Sequence, residues 1–527
     1  MTASGRGLAA LLLAALSAGC HSAAAPPSRP NVLFIAVDDL RPTLGVYGDP
    51  DIKSPNIDRL ARGGVTFLEA YAQQAVCNPS RVSLMTGLRP DSTRVWDLDT
   101  DFRTTVPDVV TLPQYFIRHG YHAVSIGKIY HNVLPDSLSW SEPEIHVDGF
   151  PYDPDAVYHH RDNLAIQEAK KAAFRQAGDT ARHIDKYGLW YLKANATESV
   201  DLPDSVYYDG AETNRAVERL GELAKLGKPF FFGVGYYRPH LPFNAPKKYW
   251  DLYQRDSIPP ARNPNVPEDG PVMAMSTMRE LRGYADFPDA PNPFDGRISL
   301  ADARRLKHGY YASVSYVDAQ IGRLLDRLDQ LGLSGNTIVV LWGDHGFKLG
   351  EHNGWAKMTD YLIDTHAPLI IRAPGRVAPG VRIGRPVEFV DVYPTVAELA
   401  GLPVPPGLQG TSAVPLIANP ERPWKKAVFT QFLRDGIWVA PDSIPYMGYS
   451  IRTERYHYVT WIDWRTRKTA ARELYDLATD PDENRNLAGD PRLAKTLDAL
   501  EVQRQAGWRA AVPETITAKS SSSSSAR

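Results

Sequence analysis

Cysteine is nearly missing from this chain: there are two in 527 residues, Cys20 and Cys77. If Cys20 is modified or removed, no disulfide can form within the chain, and an exported protein of this size must then hold together by its core. An excess of one charge is also missing. Lys and Arg number 59 against 61 Asp and Glu, a net charge of -2, so no global field recruits nucleic acid or acidic membranes. A local cationic pocket is compatible with that balance. The apolar run Leu8 to Leu16 is too short to cross a bilayer, and no internal repeat is visible.

What remains is an ordinary globular mix, 43% hydrophobic and 23% charged. It is long enough for a large core and more than one domain. At the N-terminus, Arg6, the apolar run and Ser17-Ala18-Gly19 before Cys20 read as a signal peptide over residues 1–20. The ending is similar to a bacterial lipoprotein signal, in which Cys20 becomes the lipidated first residue. Plain secretion and a buried helix are the alternatives. Residues 21–30 form an Ala- and Pro-rich tether, and the run Ser520 to Ser525 marks residues 513–527 as a disordered tail. The protein is therefore expected to be exported, to the periplasm or cell surface, touching a membrane only through a lipid on Cys20.

Four segments share one design, an apolar run followed at once by polar groups. They are Val32 to Val37 before Asp38-Asp39, His122 to Ile126 before Gly127-Lys128, Phe230 to Val234 before Arg238-Pro239-His240, and Thr337 to Trp342 before Gly343-Asp344-His345. Such runs suit strands buried on both faces. Between them lie helical signals: Ser54-Pro55 to Gly63-Gly64, Pro113 to Gly120, and Tyr310 to Leu331 with Gly332 as the stop. Alternating strands and helices predict an α/β sheet between helices, with ligands beyond the carboxyl ends of its strands. All four polar clusters fall there. A boundary near Pro420 to Pro423 separates a catalytic domain, residues 31–422, from a smaller antiparallel-sheet subdomain, residues 423–512. Its expected elements are Ala427–Phe432, Tyr449–Arg452, Tyr456–Trp461, Leu474–Leu477 and a helix from Pro491 to Gln505.

The acids suggest a metal. Asp38 and Asp39 repel each other at a strand mouth, so the pair favours a cation. Asp344 and His345 at a second strand end could complete the shell, and an oxygen-rich set favours Ca²⁺ or Mg²⁺ over zinc. Taken alone, the pair could equally be a cap or a surface turn. Cys77 precedes Pro79, which suits the first turn of a helix running to Gly87. A thiol at that helix N-terminus would be acidic and nucleophilic, and Arg81 would return to the same side. By spacing alone a thiol enzyme and a structural cysteine stay open.

The stretch Cys77-Asn78-Pro79-Ser80-Arg81 resembles the signature of type I sulfatases, closest to the iduronate-2-sulfatase group. Asn31 to Asp39, Ser54-Pro55-Asn56-Ile57-Asp58, Gly127 to His131, Gly235 to His240, Ala312 to Tyr316, Gly350 to Lys357 and Met447 to Thr453 extend the likeness from about residue 30 to about 490. The resemblance implies an alkaline-phosphatase-like sandwich around a large, mainly parallel sheet. It implies that a maturation enzyme oxidises Cys77 to formylglycine, whose hydrate attacks sulfur. Asp38, Asp39, Asp344, His345 and the modified Cys77 would hold one Ca²⁺, and Arg81 would hold the nucleophile. Lys128 and Lys357 would clamp the sulfate, His240 would protonate the leaving alcohol, and His131 would take the proton that releases sulfate. The implied substrate is a sulfated carbohydrate, first of all a 2-sulfated hexuronate at a glycosaminoglycan chain end. Competing readings are an algal-polysaccharide sulfatase, a phosphatase or phosphodiesterase of the same superfamily, and a glycan-binding lipoprotein with a dead site. Residues 427–451 hold Arg434 but no Lys, a departure if relatives use a lysine there for the uronate carboxylate. His352 and His366 receive no role.

Overall fold

The computed structural model describes residues 29–434 and 445–512. The expected signal peptide, Cys20, nearly all of the tether and the C-terminal tail lie outside the described residues. Among those described, no helix is long and apolar enough to cross a membrane.

Seven strands make the central sheet: β1 (Asn31–Val37), β2 (Val65–Phe67), β3 (His122–Gly127), β4 (Phe230–Tyr236), β5 (Thr337–Gly343), β6 (Leu369–Arg372) and β7 (Val381–Ile383). Their spatial order is β7-β2-β6-β5-β1-β4-β3. The block β5-β1-β4-β3 is parallel throughout, while β6 runs antiparallel to both neighbours. The sheet is thus mixed and mainly parallel. The parallel block puts the four polar clusters side by side along one edge, as the rule for ligand sites in α/β sheets expects.

Alternation along β1 explains why it is apolar on both faces. Val32, Phe34 and Ala36 pack under α2 (Cys77–Thr86), α3 (Leu112–Arg118) and α6 (Val392–Leu399). Leu33, Ile35 and Val37 face α1 (Pro55–Arg62), α4 (Tyr208–Leu223) and α5 (Leu300–Gln330). Phe34 lies between Phe231 and Trp342, with centroids 5.6 and 5.8 Å away. Truncating it to alanine would cost about 3–5 kcal/mol by cavity formation.

Two local expectations change. Ser54 does not cap α1. Its hydroxyl accepts from Gly45 N–H at 3.3 Å, and Asp318 of α5 takes the amides of Asn56 and Ile57 at 3.0 and 2.8 Å instead. The helix expected from Tyr310 begins at Leu300, where the Ser299 hydroxyl accepts from Asp302 N–H at 3.0 Å.

The C-terminal sheet is antiparallel, in the order β8 (Ala427–Arg434), β9 (Tyr446–Thr453), β10 (Tyr456–Asp463) and β11 (Thr469–Asp476). One face packs on α7 (Ala494–Ala511) through Ala427, Ile451, Tyr458, Leu497 and Leu500. The other places Phe432, Val459, Trp461 and Tyr475 against Met275, Tyr361 and Val76, the residue before Cys77. The second sheet therefore buttresses the start of α2.

Candidate active site

The edge of the parallel block carries a buried ionic cluster. Arg81, fully buried on α2, joins the two strand ends: Nη2 donates to Asp38 Oδ1 at 2.9 Å and Nε to Asp344 Oδ2 at 3.0 Å. Its third arm bonds the carbonyls of Lys128 and Ile129 after β3. Lys128 Nζ donates to Asp38 Oδ2 at 2.6 Å. Lys357 Nζ lies 2.9 Å from both oxygens of Asp39 and 3.0 Å from Glu280.

The backbone is shaped for this. Asp39 sits at φ 58, a left-handed conformation that lets two consecutive carboxylates serve one site. Its N–H donates to Asp344 Oδ1 at 3.0 Å, and its carbonyl accepts from Tyr310 of α5 at 2.8 Å. At Gly127 (φ 72), a Cβ would come 2.3 Å from Gly235 O; at Gly235, 2.2 Å from the Lys128 backbone. Only glycines let β3 and β4 end this close together, which is what turns Lys128 inward.

Cys77 opens α2 with its Sγ 3.4 Å from His345 Nε2. His345 Nδ1 lies 2.9 Å from Gly346 O. With Nδ1 donating there, Nε2 carries the lone pair and faces Cys77, Asp39 and Asp344. Donor atoms of Asp39, Cys77 and His345, and again of Asp38, Cys77 and Asp344, lie within 4.8 Å of one another. Asp39 Oδ1 is buried, and its 2.9 Å ion-pair contact with Lys357 Nζ lacks hydrogen-bond geometry. Three carboxylates, one of them with an oxygen that accepts no hydrogen bond, and one imidazole lone pair fit a hard divalent cation.

The electrostatics agree. Burial opposes ionisation of Asp38, but Lys128 and Arg81 outweigh it and hold the carboxyl well below its usual range. Asp39 goes the other way, pushed well up by burial and by Asp38, Glu280 and Asp344 against the pull of Lys357. Cys77 corrects an expectation. Burial, with Asp38 and Asp344 nearby, drives its thiol well up. Burial, with the carboxylates beside the first turn, outweighs the helix dipole and favours the protonated thiol.

Above this cluster opens a cavity of about 600 Å³ lined by Cys77, Lys128, His131, His240 and Lys357. The candidate catalytic and metal-binding residues read from sequence therefore fall on one site, with these five lining its floor over the ionic cluster. His131 is half-buried, its Nδ1 without a partner, and burial with Lys128 lowers its pKa to about 3. It is a neutral ring, able to accept a proton. His240 Nδ1 lies 2.5 Å from Leu241 O, and Nε2 stands 3.3 Å from Glu280 and 3.9 Å from Asp39. Burial and Lys357 also keep this ring neutral, so donating a proton requires an anionic substrate to charge it first. His352 and His366 bond the carbonyls of Asp482 and Leu68 at 2.8 Å and line a separate cavity.

The upper wall carries Asp155, Tyr191, Lys193 and Glu280, which sequence reasoning missed. Tyr191, Lys193 and Glu280 come from irregular segments or very short helices without periodicity, and Asp155 from a single 3-10 turn. No motif marks them.

The sulfatase family model matches residues 30–402, and a model of the N-sulphoglucosamine sulphohydrolase C-terminal region matches residues 350–506. The chain belongs to the sulfatase family and is a hydrolase. Human iduronate 2-sulfatase is 34% identical over 529 residues, 87% of this chain and 91% of that protein. A sulfatase of Formosa agariphila is 32% identical, covering 90% and 86%. Among solved structures, a protein in complex with D-glucosamine-2-N,6-O-disulfate superposes with a TM-score of 0.68 at 23% identity, over 91% of this chain and 97% of that one. A phosphonate monoester hydrolase of Agrobacterium radiobacter reaches 0.67, also at 23% identity, over 92% and 96%. Sulfatases generally use a formylglycine and a metal ion.

Proposed function

We propose that the protein removes the 2-sulfate of a hexuronate at the end of a glycosaminoglycan or related polysaccharide, using a formylglycine made from Cys77. The observation that carries the reaction is the position of Cys77, on the cavity floor between Asp38, Asp344 and His345. The substrate reading is supported by the 34% identity to human iduronate 2-sulfatase along most of both chains.

Asp38, Asp39, Asp344 and His345 would hold one Ca²⁺ beside the modified Cys77. Bound there, the ion supplies charge to a sulfate oxygen and favours the ionised nucleophile. Arg81 fixes Asp38 and Asp344 relative to α2 and offsets the charge gathered at the nucleophile. Lys128 and Lys357 both line the cavity and balance charge on sulfate oxygens as the ester bond breaks. His131, neutral, accepts the proton whose loss frees sulfate. His240, charged by the bound anion, returns a proton to the sugar oxygen. A maturation enzyme must act on Cys77 first, and the N-terminal sequence supports export with a lipid on Cys20.

The test pairs two measurements on protein coexpressed with a formylglycine-generating enzyme. Mass spectrometry of the peptide spanning Cys77 should show aldehyde in place of thiol. Sulfate release should be seen from a 2-sulfated hexuronate chain end and be absent after chelation, returning with Ca²⁺. Full activity from thiol-only protein would sink the mechanism. Activity confined to 6-sulfated hexosamine, algal sulfates or phosphonate monoesters would sink the uronate reading.

A further inference from the structure

The upper cavity wall holds one ammonium and two carboxylate oxygens that make no hydrogen bond, although the other oxygens of those carboxylates bond Asn132 and Lys357. Lys193 lines the cavity, and no ion pair or hydrogen bond engages its ammonium among the described residues. Its Nζ instead lies 4.8 Å from the Tyr284 ring centroid and 5.4 Å from that of Tyr191. Asp155 Oδ1 and Glu280 Oε2 are buried and accept no hydrogen bond. The floor cations differ, since Lys128 and Lys357 are paired with Asp38 and Asp39.

An ammonium held this way is costly. Aromatic faces contribute about 0.5–2 kcal/mol but do not neutralise the charge. Burial accordingly lowers the pKa of Lys193 despite Glu280 and Asp155 in the same wall. Its backbone is nonetheless pinned. The Lys193 carbonyl accepts from Lys170 Nζ at 2.6 Å, and the next residue bonds Tyr158 and Ala285 at 3.1 and 2.9 Å. Space is kept for the head group as well, because a Cβ on cavity-lining Gly283 would sit 3.3 Å from Nζ. A fixed, unpaired cation beside two open carboxylate oxygens matches a ligand that offers one acid and several hydroxyls.

A 2-sulfated hexuronate offers that set. Its sulfate belongs at the floor, so its carboxylate needs another cation. We propose that Lys193 is a specificity-determining residue whose ammonium pairs with the uronate carboxylate, while Asp155 and Glu280 accept hydrogen bonds from sugar hydroxyls. This rests on the uronate reading above.

The experiment measures kcat/KM by sulfate release for a 2-sulfated hexuronate chain end and for its carboxyl-reduced counterpart. It compares wild type with K193M, K193Q and K193R, each checked for folding by thermal unfolding. A charge-assisted hydrogen bond corresponds to about a 10–100-fold preference of wild type for the acid. K193M should lose most of that preference through a raised KM for the acid, and K193R should keep it. K193Q decides the matter if K193M does not fold. Retained preference in both neutral variants overturns the role of Lys193 and leaves the uronate reading standing. A uniform fall in kcat on both substrates, with the preference intact, overturns it too. Equal turnover of acid and reduced sugar by wild type instead overturns the uronate reading, and this inference with it.

Discussion

Two buried ionic clusters flank α2, and they are built to different ends. Glu388, Asp391, Lys425 and Arg89 form the second. Lys425 Nζ donates to Glu388 at 2.6 Å and to both oxygens of Asp391 at 2.7 Å, and Arg89 reaches Glu388 at 2.8 Å. The remaining acceptor capacity is taken by backbone N–H groups of Phe429, Thr411 and Glu388 at 2.9, 2.7 and 2.9 Å. Every carboxylate oxygen is engaged. The cluster at Asp38 and Asp39 has no shortage of cations, yet Asp39 Oδ1 remains without a hydrogen bond and two of its lysines reach a cavity. Closure marks a joint: Glu388 and Lys425 tie β8 to the catalytic part. Incompleteness marks a site, because a buried oxygen without a hydrogen bond is tolerated where a ligand completes it.

The comparison can be broken first at the site, where the largest effects are expected. C77A removes the atom from which the proposed nucleophile is made, and D39N removes a carboxylate from the proposed cation shell. Each should lower kcat/KM by about 10³-fold or more, while far-ultraviolet circular dichroism stays that of the folded protein. Wild-type turnover by C77A, produced alongside the same maturation enzyme, would exclude the assigned role. H131A should cost less, about 10²-fold in kcat. The pKa of His131, about 3, adds a sign. The ring is already neutral well above that value, so an acid limb of the pH–rate profile near neutrality should persist unchanged in profiles of the variant.

At the joint the expectation inverts. K425M leaves Glu388 and Asp391 buried without their shared cation, which should cost about 3–5 kcal/mol of stability. Denaturant unfolding would show it, with kcat little altered in the protein that remains folded. If K425M unfolds at the wild-type denaturant concentration, the cluster is not a joint. Acid should act here as well. Burial alone would raise the Glu388 carboxyl, but Arg89 and Lys425 hold it at about 2, below its ordinary 4.5. Its contribution is therefore complete above 4.5 and is lost as pH falls from there toward about 2. E388Q should show a smaller loss of stability across that window.

Much of the floor could be read from sequence, because strand ends in a parallel block announce themselves. An apolar run that stops at Asp38-Asp39 or at Asp344-His345 gives both the buried element and the polar residue at its mouth. Gly127 before Lys128 was legible for the same reason. Other features needed three dimensions. Asp318 caps α1 from 262 residues away in sequence, a contact that no local pattern encodes. The Ser299–Asp302 cap at the start of α5 was available, but the charged turn that follows hid the helix behind it. The raised pKa of the Cys77 thiol comes from burial first and then from Asp38 and Asp344, the residues just after β1 and β5, so a rule about helix N-termini could not give it. Lys193, Asp155 and Glu280 meet only because long loops fold over the sheet edge.

The smallest effect is also the most direct measure of how the clusters differ. Burial and three neighbouring acids raise the Asp39 carboxyl well above its ordinary 3.8, with Lys357 opposing. Above 3.8 the unfolded chain releases that proton while the folded, metal-free protein keeps it. Stability therefore falls as pH rises through the interval between the two values. In D39N the slope disappears, and relief of repulsion among Asp38, Asp344 and Glu280 should make the metal-free variant about 1 kcal/mol more stable than wild type near pH 7. Unfolding curves in chelator from about pH 5 to about pH 8 would measure both quantities. Saturating Ca²⁺ should then stabilise wild type by about 3 kcal/mol at a hundredfold excess over its dissociation constant and D39N by much less. Equal slopes in chelator, or equal gains with Ca²⁺, would mean that Asp39 is as closed a pair as Glu388 and that the cation shell has been placed in the wrong cluster.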